Sequence, residues 1–469
     1  MTMLRWCFGM RNPLTIRSAA LLAYLALIFL PAAPRSYADN APDWLRAAAQ
    51  EKLPDYDKDT NAVILFEEEQ TTVRENGEID TLRRGAIRIL RDEGRREFGG
   101  VAAHFDKDTK ISYMKAWTIE SNGHELAVGD KDAVERGYLS DIEYEDVKRR
   151  ELAYPEPNPG NVVGYEFVQR ERPEILENIW SFQGRIPVHR ARFTLQLPPG
   201  WEFTARWANH PERQPQSTGT NSYTWEVTDS PAIEIEPEMP PWTVIVGHMI
   251  VKYFPQDPKL REKTSGSWND IALWYQNLIA PRRVSTPAIK TKVTELTSNI
   301  QDPLDKMKAL AAFTQRQIRY QAVEIGIGGH QPHAAGDVFT HRFGDCKDKA
   351  TLLNTMLQEI GVESYNVMIS PDRGVVRPDF PLLAFGHSII AIHLPDSIPD
   401  AGLYAVVQDP DLGRLLFFDP TEEYLPLGYL PSELQDTDAL VVTPHGGKVS
   451  SLGEHLGAFT RERMLELFH

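Results

Sequence analysis

One of the two cysteines of the chain, Cys346, lies in the stretch FGDCKDKATLL, where its surroundings could make a thiol nucleophilic. Asp345 precedes it and Asp348 follows three residues after that aspartate, which is the spacing of a capping box, so we expect a helix to begin at Cys346. Free N–H groups and the helix dipole stabilise a thiolate in a first turn. The same N–H groups could bind the oxyanion that forms when sulfur attacks a carbonyl. Lys347 and Lys349 add positive potential.

A nucleophilic thiol needs a base, and His387 is the best candidate. The run FGHSIIAIHL places His387 at the entrance of a predicted strand, where its ring could face the start of the helix. His393 lies six residues later on the same face of a straight strand and is the weaker alternative.

The base in turn needs an orienting carboxylate, and we expect Asp419 to supply it. The run RLLFFDPTEEY ends an apolar strand on Asp419, so its side chain should project from the end of the sheet. Asp409 has the same Asp-Pro context in VVQDPD, but Asp419 directly follows the apolar strand. Gln331, in the loop GGHQPH, carries an amide that could donate to the oxyanion; an exposed loop glutamine is the alternative interpretation.

Three histidines close to Cys346 raise the alternative of a metal site. They are His330, His333 and His341; together with Cys346 they have spacings of three, eight and five residues, which do not match the common zinc patterns. We therefore expect neither a metal nor a cofactor.

Helical periodicity begins after the Pro- and Asp-containing linker FPQDP and defines the elements that must hold these residues. Three amphipathic helices are predicted in SWNDIALWYQNLI, TPAIKTKVTELTSNI and PLDKMKALAAFTQRQIRY. The cysteine helix follows, with Gly361 at its expected end. Four strands come next, in ESYNVMIS, HSIIAIHL, YAVVQD and RLLFFD, so an α+β core of helices packed on a small antiparallel sheet is expected.

Ahead of this core the pattern is β-rich. The pairs Asn76-Gly77 and Asn122-Gly123 are hairpin signals, and a strand is expected from Ala62. Further β-branched or aromatic runs are bounded by Pro and Gly: Val162 to Arg170, Arg192 to Leu197, Ser222 to Val227 and Trp242 to Tyr253. They indicate an antiparallel β-sandwich-like domain.

These motifs resemble the transglutaminase-like superfamily of cysteine enzymes, which share a papain-like core. GDCKDKATLL is similar to the nucleophile helix of the family, FGHSIIAI to its histidine strand and FFDPTEEY to its aspartate strand, over about Ser267 to Pro426. The arrangement resembles an exported bacterial subgroup with a β-rich domain of unknown function before the core. The resemblance implies thioester acyl transfer on protein or peptide amides, with Cys346 as nucleophile, His387 as base and acid, and Asp419 as orienter.

The first 38 residues have the three regions of a secretory signal. Arg5, Arg11 and Arg17 precede an apolar run from Ser18 to Ala33, and the small residues of SYA follow, so we predict cleavage before Asp39. Cleavage would remove Cys7 and leave Cys346 as the single thiol of an exported, periplasmic protein. An uncleaved signal that anchors the chain in the membrane is the alternative.

The acidic charge limits the partners. The net charge of the 469-residue chain is −16, and loss of a signal with four arginines and no acidic residue makes it −20. Nucleic acid is therefore not an expected partner. A protein or peptide substrate is expected, with association with the cell envelope; the sequence does not determine the oligomeric state.

We divide the chain into a signal peptide (1–38), a β-rich domain of unknown function (39–255), the transglutaminase-like core (256–430) and a short C-terminal extension (431–469). Proteins of the subgroup that the chain resembles usually continue into a further C-terminal β-rich domain, so the extension is interpreted as a shorter variant or a truncation. The alternative to an enzyme is a non-catalytic binding or scaffold protein of the envelope that retains the fold.

Overall fold

The structure is a computed structural model that describes residues 40–137 and 143–452. The predicted signal peptide, its cleavage site and most of the predicted C-terminal extension lie outside these residues. In the described part of the chain, no helix is both long enough and apolar enough for a membrane span.

The first part of the chain is β-rich, as predicted. It contains β1 (Ala62–Val73), β2 (Ile79–Ile89), β3 (Gly100–Phe105), β4 (Thr109–Ile119), β5 (Glu125–Gly129), β6 (Val134–Gly137), β7 (Glu143–Glu145), β8 (Lys148–Ala153), β9 (Val162–Glu171), β10 (Glu177–Ser181), β11 (Val188–Gln196), β12 (Glu202–Ala208), β13 (Gln216–Gly219), β14 (Ser222–Ser230) and β15 (His248–Phe254). Short helices interrupt or flank the strands: α1 (Asp43–Ala49), α2 (Asp92–Glu97), α3 (Trp242–Ile245) and α4 (Pro258–Arg261).

Eight of these strands form one sheet in the order β13-β14-β11-β1-β2-β9-β4-β5. The hairpin between β1 and β2 turns at Gly77, whose φ of 82° suits glycine in the predicted Asn-Gly turn. Two three-stranded sheets, β10-β15-β12 and β3-β8-β6, pack against the large sheet. The sandwich-like architecture is confirmed, with one exception to its antiparallel order: β1 and β11 pair in parallel.

The second part of the chain begins with helices and ends in a sheet. The helices are α5 (Trp268–Ile279), α6 (Pro287–Thr297), α7 (Pro303–Gln317), α8 (Ala335–His341) and α9 (Cys346–Gln358). The strands are β16 (Arg319–Tyr320), β17 (Ala322–Glu324), β18 (Phe343–Gly344), β19 (Ser364–Ile369), β20 (His387–His393), β21 (Val406–Asp409), β22 (Gly413–Phe418), β23 (Asp438–Thr443) and β24 (Gly446–Ser451). The predicted α+β class is confirmed.

The core sheet has the antiparallel order β21-β22-β20-β19-β23-β24, with α9 packed on its central strands. Asp409 at the end of β21 lies near Lys448 Nζ and Ser450 Oγ of β24, each at 3.5 Å. Because β21 and β24 are the two edge strands, these contacts mean that the sheet curls until its edges approach each other at this end.

Three elements differ from the prediction. The strand expected from Trp242 begins only at His248, since Trp242–Ile245 forms α3. The loop before Cys346 contains the helix α8. Within 431–469, β23 pairs with β19, so the core sheet continues beyond residue 430.

Candidate active site

Cys346 is the first residue of α9, as predicted, and its side chain is half-buried. Asp345 caps the helix: its Oδ1 accepts the Asp348 N–H at 3.2 Å, and Asp348 Oδ2 accepts the Asp345 N–H at 3.2 Å. The capping box therefore fixes the turn on which the sulfur sits. The backbone N–H groups at the start of an α-helix lack intrahelical acceptors, so that of Cys346 is available to an oxyanion.

Lys347 places a buried cation directly beside Cys346. Its Nζ lies 2.5 Å from Asp345 Oδ2 and 3.7 Å from Glu324 Oε1, and the residue is 4% exposed. Burial opposes the charge, but Asp345, Cys346 and Glu324 outweigh it and raise the pKa of Lys347 above its ordinary value. The ammonium thus stays charged next to the sulfur.

Lys349, the second predicted source of positive potential, faces another element. Its Nζ donates to the carbonyl oxygens of Gln315 and Ile318 at 3.1 and 3.0 Å. Burial lowers the pKa of Lys349 to about 8, against the opposing effect of Asp419. This side chain joins α9 to the end of α7 rather than facing the thiol.

His387 begins β20, and Asp419 directly follows β22. His387 Nε2 lies 2.7 Å from Asp419 Oδ2. Asp419 is 3% exposed, and its Oδ1 accepts the backbone N–H and the hydroxyl of Thr421 at 2.8 and 2.7 Å. Burial opposes ionisation of Asp419, but His387 and the Thr421 hydrogen bonds lower its pKa below the ordinary value. The carboxylate is thus held in place from both oxygens.

Cys346 lies close enough to the imidazole of His387 to affect its ionisation. Because Nε2 is engaged by Asp419, the ring nitrogen left for the sulfur is Nδ1. Burial disfavours the imidazolium, but Asp419 and Cys346 together raise the pKa of His387 well above its ordinary value. A thiol, an imidazole and a buried carboxylate in this order can form a thiolate–imidazolium pair and move a proton to and from a reacting group.

Two family models match the chain. Residues 75–234 match DUF3857, a domain of unknown function with a solved structure, and residues 290–369 match the transglutaminase-like superfamily. The core is transglutaminase-like. The second match contains Cys346 and ends before His387. The positions of His387 and Asp419 at the site are therefore known from the structure and not from the family match. The predicted resemblance of the two parts of the chain is confirmed.

The fold of the chain is similar to that of a solved structure. The structure of a protein called a "putative protease", from Parabacteroides distasonis, has a TM-score of 0.61 at 13% identity, and the similarity covers 84% of this chain and 72% of that one. A "putative cysteine protease" from Cytophaga hutchinsonii covers 80% of this chain and 86% of its own at 10% identity, with a TM-score of only 0.22. No curated protein matches the chain in sequence. The first similarity shows a shared fold.

Gln331 lies beside the transglutaminase-like core's α5. Its Oε1 accepts Arg282 Nη2 at 2.5 Å, and its Nε2 lies 3.4 Å from the Leu278 carbonyl oxygen. The amide oxygen thus contacts a residue just after α5, and the amide nitrogen contacts α5 itself. Its donation to an oxyanion stays a prediction, since the contact with Leu278 uses only one of the two N–H groups of Nε2.

The three histidines before Cys346 contact different residues and do not form one cluster. His330 packs edge-on against Trp274, with ring centroids 5.3 Å apart, and burial lowers its pKa to about 4. His341 packs against Phe343. His333 donates its backbone N–H to Asp348 Oδ1 at 2.7 Å, and its Nδ1 lies 3.0 Å from Oδ2. Among the described residues, no three or more His, Cys, Asp or Glu side chains are grouped so that they could hold a metal ion.

The contact between His333 and Asp348 was not predicted from the sequence. The hydrogen bond to Asp348, assisted by its charge and opposed by burial, raises the pKa of His333 above its ordinary value. Asp348 therefore holds the loop and the helix cap together. The signal in the sequence was weak, since only the capping spacing of Asp348 pointed to a buried carboxylate.

The two alternative residues lie away from the thiol. His393 ends β20, the strand that His387 begins. Asp409 accepts the backbone N–H groups of Asp411 and Leu412 at 2.9 and 3.0 Å, at the turn from β21 to β22. The structure brings together the first choices, His387 and Asp419, and neither alternative.

Proposed function

We propose that the protein is a cysteine acyltransferase or hydrolase that acts on protein or peptide amides through a thioester. The observation that carries this proposal is the contact of 2.7 Å between His387 Nε2 and Asp419 Oδ2, with Cys346 close enough to the imidazole to affect its ionisation. The same order of groups serves cysteine and serine enzymes on several unrelated folds.

The proposed reaction has two steps. The thiolate of Cys346 attacks the amide carbonyl carbon, and the oxyanion is bound by N–H groups at the start of α9. The imidazolium of His387 gives its proton to the leaving amine, and the C–N bond breaks to leave a thioester. Water or a second amine then attacks the thioester, His387 takes up its proton and returns it to sulfur, and the C–S bond breaks.

Alkylation of Cys346 by iodoacetamide, followed by intact mass from pH 5 to pH 10, tests the pair. An unassisted thiol with a pKa near 8.5 is only about 1% thiolate at pH 6.5, so alkylation that is fast at this pH requires a thiolate stabilised by its surroundings. We expect His387→Ala to slow it about ten-fold or more at pH 6.5, with little change at high pH. His393→Ala, at the other end of the same strand, should leave the rates unchanged.

Equal rates for the wild type and His387→Ala at every pH would contradict the proposal. If these equal rates are also as slow as those of an unassisted thiol, and the protein is folded, the binding or scaffold function is favoured instead. For an active site, an activated ester donor separates the two outcomes of the second step: the acyl group is released as the acid in water, or as an amide when a primary amine is added.

We also propose that the chain is exported to the periplasm. The support is the arrangement of the arginines, the apolar run and the small residues before Asp39. N-terminal sequencing of protein recovered from the periplasmic fraction should begin at Asp39. Recovery with an intact N-terminus in the membrane fraction would favour the uncleaved anchor.

A further inference from the structure

The segment between β19 and β20, residues 370–386, leads directly into His387 and contacts the β-rich domain. Leu382, Leu383 and Phe385 of this segment are buried. Leu383 and Phe385 belong to one apolar cluster together with Ile175, which precedes β10. His387 is the first residue of its strand, so its backbone is held by strand pairing on one side and by this segment on the other.

Two buried charged residues of the β-rich domain hold the segment by its backbone. Glu177 and Lys252 face each other across β10 and β15, and they are 5% and 3% exposed. Glu177 Oε1 accepts the Leu383 N–H at 3.2 Å, and Lys252 Nζ donates to the Pro381 carbonyl oxygen. The ammonium also lies 4.7 Å from the ring centroid of Phe380.

Ser265, in the linker between the two parts, completes this network. Its hydroxyl donates to Glu177 Oε2 at 2.5 Å, and its carbonyl oxygen accepts Lys252 Nζ at 2.6 Å. Glu177 and Lys252 each have one hydrogen-bond partner in the linker and one in the segment. Burying two opposite charges is costly unless these hydrogen bonds keep their geometry. The network therefore fixes the position of residues 381–383 relative to both parts of the chain.

We propose that Glu177 and Lys252 are positioning residues, through which the β-rich domain sets the place of His387 against Cys346. This assignment rests on the proposed function and deepens it. The domain of unknown function then contributes to the competence of the site, although neither residue contacts the thiol. A displacement of about 1 Å at reacting groups is enough to reduce a rate about a hundred-fold, so the anchoring of the segment matters.

The test compares iodoacetamide alkylation of Cys346 at pH 6.5 and pH 9 in the full chain. Glu177→Ala frees the Leu383 N–H, and we expect the pH 6.5 rate to fall about ten-fold toward that of His387→Ala while the pH 9 rate changes little. Glu177→Gln keeps an oxygen acceptor for Leu383 and should restore most of the pH 6.5 rate. A residue with a purely structural role would not change this ratio of rates.

Glu68→Ala is the matched control. Glu68 is a 3% exposed carboxylate of β1 that pairs with Arg84 in the same domain, away from the segment. It should lower the melting temperature as Glu177→Ala does and leave the ratio of rates at the wild-type value. Should Glu177→Ala fail to fold, Lys252→Met frees the Pro381 carbonyl and should give the same fall.

A folded Glu177→Ala protein with the wild-type ratio would overturn the assignment, as would an equal fall in Glu68→Ala. If His387→Ala itself shares the wild-type ratio, the proposed function fails and the assignment fails with it. If His387→Ala differs from the wild type and Glu177→Ala does not, only the positioning role is lost.

Discussion

The imidazole of His387 is held between two groups that both favour its charged form. Asp419 binds Nε2 at 2.7 Å, and Cys346 also favours the imidazolium. The pKa of His387 is therefore raised in the folded protein. Its contribution to stability is complete below the unfolded-state pKa of about 6.5 and is lost as the pH rises through the folded-state pKa.

Asp419→Asn should lower the pKa of His387, because the neutral amide no longer stabilises the imidazolium. An NMR titration of the imidazole, with ¹⁵N-labelled histidine, should show deprotonation at a lower pH than in the wild type. We expect alkylation of Cys346 at pH 6.5 to slow in the same variant.

Asp409→Asn is the matched control for this change. Asp409 is also 3% exposed and is also followed by proline, but it lies at the turn from β21 to β22. The His387 titration should keep its wild-type midpoint in Asp409→Asn. An unchanged midpoint in Asp419→Asn would show that the carboxylate does not set the charge of the ring.

The order of Cys346, His387 and Asp419 was readable from the sequence because each lies next to a strong local signal: a helix cap, a strand entrance and a strand followed by proline. The partners of Gln331 and of His333 were not readable. Both lie on a loop whose path is decided by contacts with α5 and α9, which no local pattern encodes.

At the level of elements, Asp345 serves α9 in two ways. It caps the helix, and it neutralises Lys347 inside the core. Asp345→Ala should therefore cost about 1 kcal/mol for the cap and up to about 3–5 kcal/mol for a buried lysine that loses the nearer of its two carboxylates and keeps only Glu324. Urea unfolding of the full chain measures the sum.

Asp302→Ala separates the two contributions. Asp302 caps α7 through the Asp305 N–H at 2.9 Å, but it is exposed. Its loss should cost only the capping energy of about 1 kcal/mol. Similar losses of stability in the two variants would mean that the pairing with Lys347 contributes little.

The helices α5, α6, α7 and α9 begin where the sequence predicted, because each has a Ser, Thr or Asp cap in front of an amphipathic run. The error at Trp242–Ile245 arose where a short β-branched run fits a strand and a helical turn equally well. The sequence analysis did not predict β23 and β24. β23 pairs with β19, about seventy residues earlier, and such a long-range pairing is visible only in the folded structure.

At the level of the whole molecule, Lys252 joins the β-rich domain to the core. Burial lowers the pKa of Lys252 to about 8, against the opposing effect of Glu177. The unfolded chain then binds more protons than the folded one between about pH 8 and pH 10.5, so stability due to this residue rises with pH in that range.

Relative to Lys252→Met, which has no such group, the wild type should gain up to about 3 kcal/mol of unfolding free energy between pH 8 and pH 10.5. Urea unfolding at both pH values, with the difference taken between the two proteins, measures this gain. Lys308→Met, at a lysine that is 48% exposed, is the control and should show no such change. A difference that stays constant with pH would show that folding does not lower the pKa of Lys252.

The curl of the core sheet has a consequence for how a polypeptide can approach it. Edge strands with free backbone groups recruit further strands, both in aggregation and in peptide recognition. Here Lys448 and Ser450 of one edge contact Asp409 of the other, so an incoming strand would have to displace them at that end. Strand addition at that end of the sheet is thus disfavoured.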